Sequence, residues 1–168
     1  FKKNGNSVNK PTEDQFIDNS EPQESVNNGV DVIQHTLQYI YDYATVDFEQ
    51  RGYQDALINP ESSYKKENIS LLIEDLNIKI RQAKNHYTTL LKELDFHINS
   101  RKEAGLIDIV NELETKKSIT NQHYDEVIKI ENETSEEKGL VARLKLSYNR
   151  GFNRGLASIS SQLLTTQL

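Results

Sequence analysis

Residues 69–98 read ISLLIEDLNIKIRQAKNHYTTLLKELDFHI, and this stretch decides the fold because its apolar residues recur in a heptad pattern. The steps between them alternate between four and three residues. Such spacing places one apolar side chain per turn on one face of an α-helix. The seam consists of Ile69, Ile73, Leu76, Ile80, Ala83, Tyr87, Leu90 and Leu94. Charged residues fill many of the positions between them, so the helix must bury this face against other helices.

The composition is typical of long amphipathic helices. The 168 residues are 35% hydrophobic and 27% charged, with a mean hydropathy of -0.72 and only three prolines. Low apolarity with few helix breakers favours narrow apolar stripes over the two-sided core of a sheet. No apolar run approaches the roughly 20 residues of a membrane span. The absence of cysteine excludes disulfides and thiolate chemistry.

Four long helices joined by short connections are predicted. The first begins near Asn28 and stops at Asn59-Pro60, because proline suits the first turn of a new helix. The second runs from about residue 60 to 99, and the third covers residues 104–132 after a reversal at 99–105. The fourth starts near Ser135, where Thr134 and Glu137 have capping-box spacing. The sequence therefore predicts an all-α fold, an elongated antiparallel bundle of about four long helices with coiled-coil-like packing.

Two segments differ in composition. Residues 1–28 are rich in Asn, Ser, Glu, Asp and Lys, and they are predicted to form a disordered polar tail because they cannot bury enough apolar surface to offset ordering entropy. Residues 29–168 form the predicted helical bundle domain. One continuous bent helix across 99–105, and a coiled-coil hairpin that dimerises through the last helices, remain open alternatives.

The last helix is basic although the chain is acidic. The net charge is -6, and residues 138–168 hold five basic and no acidic side chains, which leaves -11 for residues 1–137. Arg143, Arg150 and Arg154 cluster on one helix face, opposite the apolar stripe. That stripe consists of Val141, Leu144, Tyr148, Phe152, Leu156, Ile159 and Leu163. The arginines are predicted to contact an acidic partner, and a solvated face or pairing with the chain's own acidic surface is the alternative.

Two apolar lines run along the first helix. Its core stripe consists of Ile33, Leu37, Ile40, Ala44 and Phe48. Tyr39, Tyr43 and Val46 form a second line, well round from the first. Two stripes indicate burial on two sides or a face left for a partner. Tyr39 and Tyr43 are therefore candidate partner-binding residues.

The glycines of the fourth helix predict a close approach of another helix. Gly151 and Gly155 are four residues apart, beside Phe152 and Leu156. Each glycine costs about 1 kcal/mol against alanine in a helix, so two together favour close packing over a frayed helix.

Two polar residues interrupt the apolar face of the third helix. With a reversal near residue 102, Lys117 and Thr120 fall opposite Tyr87. There they would form a polar layer that fixes register, or line a small ligand cavity. The sequence favours a simpler alternative, in which Lys117 extends past its neighbours to water.

The four histidines predict no metal site. Glu93 and His97 are four residues apart, but no HExxH or ExxH pair completes a centre. No catalytic motif and no phosphate-binding loop is recognisable. The sequence therefore predicts no catalytic residue, no metal and no cofactor.

These features favour a non-enzymatic protein–protein interaction or scaffold domain that binds a protein partner or associates with itself, without nucleic acid. The alternative is a four-helix sensor domain that binds a small ligand between helices. Phe1, Lys2 and Lys3 fit the basic flank of a signal or anchor segment, and an arbitrary boundary explains them equally well. We interpret the domain as the extracytoplasmic or membrane-anchored soluble part of a membrane-associated or exported protein, attached to a membrane only through a segment before Phe1.

Overall fold

The computed structural model describes the backbone of residues 28–166 and the side chains of residues 36–164, and every regular element in that range is a helix. The helices are α1 Asn28–Thr45, α2 Glu49–Ile58, α3 Ser62–Glu103, α4 Ile107–Ser135 and α5 Leu140–Thr166. The all-α prediction is confirmed for this range, but there are five helices where about four were predicted. The predicted tail, residues 1–28, lies outside the described residues except for Asn28.

The predicted first helix is divided into α1 and α2. The Asp47 carboxylate accepts a hydrogen bond from the Glu49 backbone N–H at 2.9 Å, which satisfies a donor at the N-terminus of α2. Arg143 of α5 donates to the Ala44 carbonyl oxygen at 3.0 Å, near the C-terminus of α1, where a cation is favoured. Because one stabilising residue comes from a distant helix, the local sequence does not predict this break.

A hairpin joins α3 to α4. Gly105 has a φ of 72°, the left-handed conformation that suits the residue after a helix. The Leu106 N–H donates to the Arg101 carbonyl oxygen at 3.0 Å, which closes the turn. Three ion pairs cross the hairpin and show that the helices are antiparallel: Lys84–Glu131, Lys102–Glu114 and Lys117–Asp95. The two helices are therefore separate, and the alternative of one bent helix is excluded.

The direction of α5 differs from the prediction. α3 pairs with α4 through Lys84 and with α5 through Lys65, whose Nζ donates to Asn153 Oδ1 at 3.2 Å. Residue numbers fall along α3 as they rise from α4 into α5, so α5 continues in the direction of α4 instead of turning back. The predicted start near Ser135 is also wrong. Glu137 has a φ of 57°, which no helical turn allows, and α5 begins at Leu140.

The helices form three segments that lie side by side. α1 is antiparallel to α3, because Leu37 contacts Tyr87 while Tyr43 bonds Leu72. α2 is parallel to α5, because Glu49 pairs with Arg154 and Tyr53 bonds Ser158. The segments are α1 with α2, α3 alone, and α4 with α5. Only α3 is unbroken, and its 42 residues extend about 63 Å at 1.5 Å per residue.

The core lies between these segments in two clusters. The first contains Ile40, Ala44, Leu76, Ile80, Ala83, Tyr87, Val127, Ile130 and Val141. The second contains Phe48, Ala56, Leu72, Leu144, Tyr148 and Phe152. Both clusters use α3, and most of its buried positions belong to the predicted heptad seam. Leu72 is buried although it lies one residue outside that seam.

Candidate functional site

The contact between α2 and α5 brings two backbones together. A Cβ at Gly155 would lie 2.7 Å from the Tyr53 carbonyl oxygen. A Cβ at Gly151 would overlap the Glu49 backbone, and one at Gly52 would overlap the backbone of α5. Gly151 and Gly155 thus lie at a close helix contact, where only glycine fits without movement. Gly52 belongs to the same contact, and the sequence does not indicate this role because Gly52 lies alone in its helix.

Polar side chains join α2 and α5 beside the glycines. The buried Tyr148 hydroxyl donates to the Asp55 carboxylate at 2.8 Å. The Ser147 hydroxyl donates to the Asp47 carboxylate at 3.1 Å. The hydrogen bond from the Glu49 backbone N–H lowers the pKa of Asp47 below its ordinary value, and the hydrogen bond from Ser147 lowers it further. The α2 helix is therefore held to α5 by polar bonds as well as by close packing.

Two of the three predicted partner-binding arginines contact the chain itself. Arg143 donates to the Ala44 carbonyl oxygen. Arg154 forms an ion pair with Glu49, and its guanidinium carbon lies 5.2 Å from the centroid of the Tyr53 ring. For Arg154 the structure shows the alternative, pairing with an acidic residue of the chain itself, because α2 packs on that side of α5.

The third arginine, Arg150, lies in a shallow groove. The groove has a volume of about 270 Å³ and is lined by Asp47, Glu49, Arg143, Leu146, Ser147 and Arg150. Because acids and bases both line it, its charge favours neither an acidic nor a basic ligand. The role of the arginines in partner binding stays a prediction.

A second groove lies between α1 and α3. Its volume is about 360 Å³, and it is lined by Thr36, Tyr39, Lys79, Gln82, Ala83 and His86. Tyr39 is 64% exposed beside it. Tyr43 is more enclosed, because its hydroxyl donates to the Leu72 carbonyl oxygen at 3.1 Å and Lys79 Nζ lies 5.1 Å from its ring centroid. Of the two predicted tyrosines, Tyr39 is therefore the one that remains open to a partner.

Exposed apolar side chains flank the α1–α3 groove. Tyr39 lies on α1 and Val46 directly follows the last residue of that helix, while Leu71 and Ile78 are seven residues apart on α3. Seven residues are close to two helical turns, so Leu71 and Ile78 share a face of α3. Asp75 lies between Leu71 and Ile78 at helical spacing, and the Tyr43 hydroxyl lies 3.3 Å from its carboxylate. That contact places this side of α3 next to α1.

The enclosed tyrosines predict an alkaline loss of stability. Burial and the nearby Asp75 carboxylate raise the pKa of Tyr43 from 10.0 to about 12, and burial with the bond to Asp55 raises that of Tyr148. A tyrosine whose pKa is higher in the folded protein than in the unfolded chain contributes its full share to the free energy of unfolding below the unfolded-state pKa. That contribution is lost as the pH rises through the folded-state pKa. We expect the urea midpoint to fall between about pH 10 and pH 12.

Two conservative variants check this expectation. Tyr43→Phe should make the decline shallower, because the titrating hydroxyl is gone. Tyr39→Phe, at an exposed position on the same helix, should leave the decline unchanged. Urea titrations followed by circular dichroism at several pH values measure both, and the same decline in all three proteins would contradict the assignment.

Of the predicted polar layer of Tyr87, Lys117 and Thr120, Lys117 is displaced toward Asp95. Tyr87 is fully buried and bonds the backbone of α1. Lys117 pairs with Asp95, and the Thr120 hydroxyl donates to a backbone carbonyl of its own helix at 2.8 Å. Because the reversal lies at residues 104–106 instead of 102, α4 is shifted about two turns along α3.

Two histidines lie beside Tyr87. The ring centroids of His86 and His123 are 5.7 and 6.0 Å from that of Tyr87. Nε2 of His86 and Nδ1 of His123 are buried without a hydrogen-bond partner. Within residues 28–166, no group of three or more potential ligands could hold a metal, and no helix is long and apolar enough to cross a membrane.

Comparison of the chain with protein-family models, with curated proteins and with solved structures gives no significant match. Functional inference therefore depends on the residues of this chain and their geometry.

Proposed function

We propose that this chain is a non-enzymatic scaffold domain whose α1–α3 groove binds one amphipathic helix of a partner protein. The exposed apolar side chains near the groove support this proposal, with Tyr39 and Val46 at the α1 side and Leu71 and Ile78 on α3. A single exposed leucine is ordinary on a protein surface. An exposed pair at heptad spacing on α3, next to the exposed Tyr39 of α1, instead matches the recognition of a helix through residues on one of its faces.

A bound helix would extend the packing that is already present. α1 and α3 meet α4 in the first core cluster, and the groove lies on the outer side of α1 and α3. A partner helix there would complete the elongated four-helix bundle with coiled-coil-like packing that the sequence predicts. Asp75, Lys79 and Gln82 would offer hydrogen bonds to polar residues along the edges of that helix.

The setting of the domain is part of the proposal. We propose that it acts as the soluble, extracytoplasmic part of a membrane-associated or exported protein. The net charge of -6 argues against nucleic acid as the partner, because domains that bind nucleic acids are usually basic.

A sensor domain that binds a small ligand between helices is a second candidate. His86 Nε2 and His123 Nδ1 favour it, because buried polar atoms without partners are uncommon. A small polar ligand in the α1–α3 groove, which His86 lines, would supply one of these partners. We prefer the partner helix because the exposed apolar residues extend from Tyr39 and Ile78 to Val46 and Leu71, none of the last three of which lines the groove of about 360 Å³.

Photocrosslinking tests the helix proposal. A benzophenone amino acid at Ile78, which is 41% exposed, should crosslink to one helical segment of a single protein in the native source. The same probe at Ile109, which is 43% exposed on α4, is the matched control and should not give that product.

A charge placed in the groove gives the second arm of the test. Tyr39→Glu in the Ile78 probe protein should lower the yield at least about tenfold, because binding would bury an unpaired carboxylate. The melting temperature should stay unchanged, since Tyr39 is exposed. Equal products from both probe positions, or a yield that Tyr39→Glu does not change, would refute the groove as the binding site.

A further inference from the structure

The ends of α2 and α5 carry exposed apolar side chains that are separate from the α1–α3 groove. Leu57 and Ile58 end α2 and are 46% and 73% exposed. Leu163 and Leu164 lie in the last turns of α5 and are 62% and 68% exposed. These four residues are called the end patch below.

The parallel course of α2 and α5 brings the two ends together. The Tyr53 hydroxyl lies 3.4 Å from the Ser158 hydroxyl, and Gly155 packs against Ala56. Beyond these contacts α2 has about half a turn left, to Ile58, and α5 has about two turns left. The apolar residues at both helix ends therefore lie at the same end of the molecule.

The sequence around the end patch has no charge. Residues 56–60 and 155–168 contain no Asp, Glu, Lys, Arg or His. In a chain that is 27% charged, about five of these nineteen residues would be charged on average. An exposed apolar patch on a highly charged protein marks an interaction surface.

The apolar seam of α5 continues past the helix that covers it. Phe152, Leu156, Ile159 and Leu163 follow steps of four, three and four residues. Lys65 Nζ of α3 lies 5.3 Å from the Phe152 ring centroid, and α3 begins one turn earlier, at Ser62. Because α3 and α5 are antiparallel, α3 ends near the level of Leu156. The last two seam residues thus have heptad spacing and no α3 beside them, as in a seam that receives a further helix.

We propose that the end patch binds the end patch of a second copy of this chain, with α5 against α5. A two-fold pairing gives each heptad seam an identical seam as its partner. The absence of charge removes the like-charge repulsion that self-association of an acidic chain would otherwise meet. A charged partner would find no opposite charge within these two segments.

The proposed dimer is weak and independent of the proposed groove function. A stable interface has about 20–30 residues on each side, and this one has four exposed side chains. We therefore expect the dimer to form only at high protein concentration. The end patch shares no residue with the α1–α3 groove, and its test measures association of the chain with itself. Either proposal can therefore fail without the other.

Sedimentation equilibrium of the 168-residue chain between about 10 µM and 1 mM tests the dimer. We expect a monomer–dimer equilibrium that Leu163→Glu weakens at least about tenfold, because each dimer would bury two carboxylates. Leu146→Glu makes the same change at a 60% exposed position of the same helix, outside the patch, and should leave the dissociation constant unchanged. A chain that stays monomeric over the whole range, or equal effects of the two variants, would overturn the proposal.

Single cysteines supply a second measurement, because the chain has none of its own. Leu163→Cys should give a crosslinked dimer with a short bis-maleimide reagent, and Leu146→Cys should not. This arm decides the question if Leu163→Glu loses helical circular dichroism. Equal crosslinking of the two cysteine variants would show that collision, and not the end patch, joins the copies.

Discussion

Gly151→Ala is expected to lower the free energy of unfolding by about 1–3 kcal/mol, the usual cost of overpacking, although alanine is the better helix former by about 1 kcal/mol. The added Cβ would overlap the Glu49 backbone of α2, which cannot turn away as a side chain can. Relief requires α2 to move off α5. That movement would also break the Arg154–Glu49 ion pair and the hydrogen bond from Tyr148 to Asp55.

Urea unfolding followed by far-UV circular dichroism measures this loss, and hydrogen exchange over residues 49–58 should show faster opening of α2. Gly105→Ala is the control, because the added Cβ meets nothing within 4 Å and only the positive φ is penalised, by about 1 kcal/mol. A Gly151→Ala protein as stable as the original would show that α2 does not pack tightly on α5.

The sequence predicts the unbroken helix α3 well because helical periodicity is a local property. Leu76, Ile80, Ala83 and Tyr87 recur at steps of three and four, and all four are buried. The turn between α3 and α4 is also local, since Gly105 supplies the left-handed conformation that ends the helix. The heptad pattern indicates which face of α3 is apolar, and Gly105 indicates where the helix ends.

The break between α1 and α2 and the direction of α5 are not local. Arg143 and Ser147 contact Ala44 and Asp47, which precede them by 99 and 100 residues. Nothing in residues 28–59 indicates that Arg143 and Ser147 bind there. Helix directions depend on which faces meet, and an apolar stripe does not specify the helix that covers it.

The contact surfaces can also be divided into those that the local sequence predicts and those that depend on distant helices. Gly151 and Gly155 are recognisable because two glycines one turn apart in a helix have a conformational cost that close packing explains. The sequence does not indicate which side of α5 is covered by α2, because glycines form that contact and leave no apolar stripe on the helix. The sequence does not indicate Leu71 and Ile78, because they lie between seam positions, where exposed apolar residues are common. Their importance depends on the neighbouring α1, and the fold is needed to place α1 beside them.

The second large effect is expected from Leu76→Ala, which should lower the free energy of unfolding by about 2–5 kcal/mol. Leu76 is fully buried in the first core cluster, where residues from α1, α4 and α5 surround α3. Removing its side chain loses the transfer free energy of the buried methyl groups and leaves a cavity. The neighbours in the cluster belong to three other helices, and they cannot all move inward without disturbing their other contacts.

Leu71→Ala is the matched control, because the same side chain on the same helix is 59% exposed and its loss should change the free energy of unfolding by less than about 0.5 kcal/mol. Urea titrations of both variants under identical conditions measure the difference. Leu90→Ala should fall between them, since Leu90 is only partly buried at the edge of the same cluster. If Leu76→Ala and Leu71→Ala were equally mild, α3 would not form the centre of the core, and the packing of the other helices around it would be wrong.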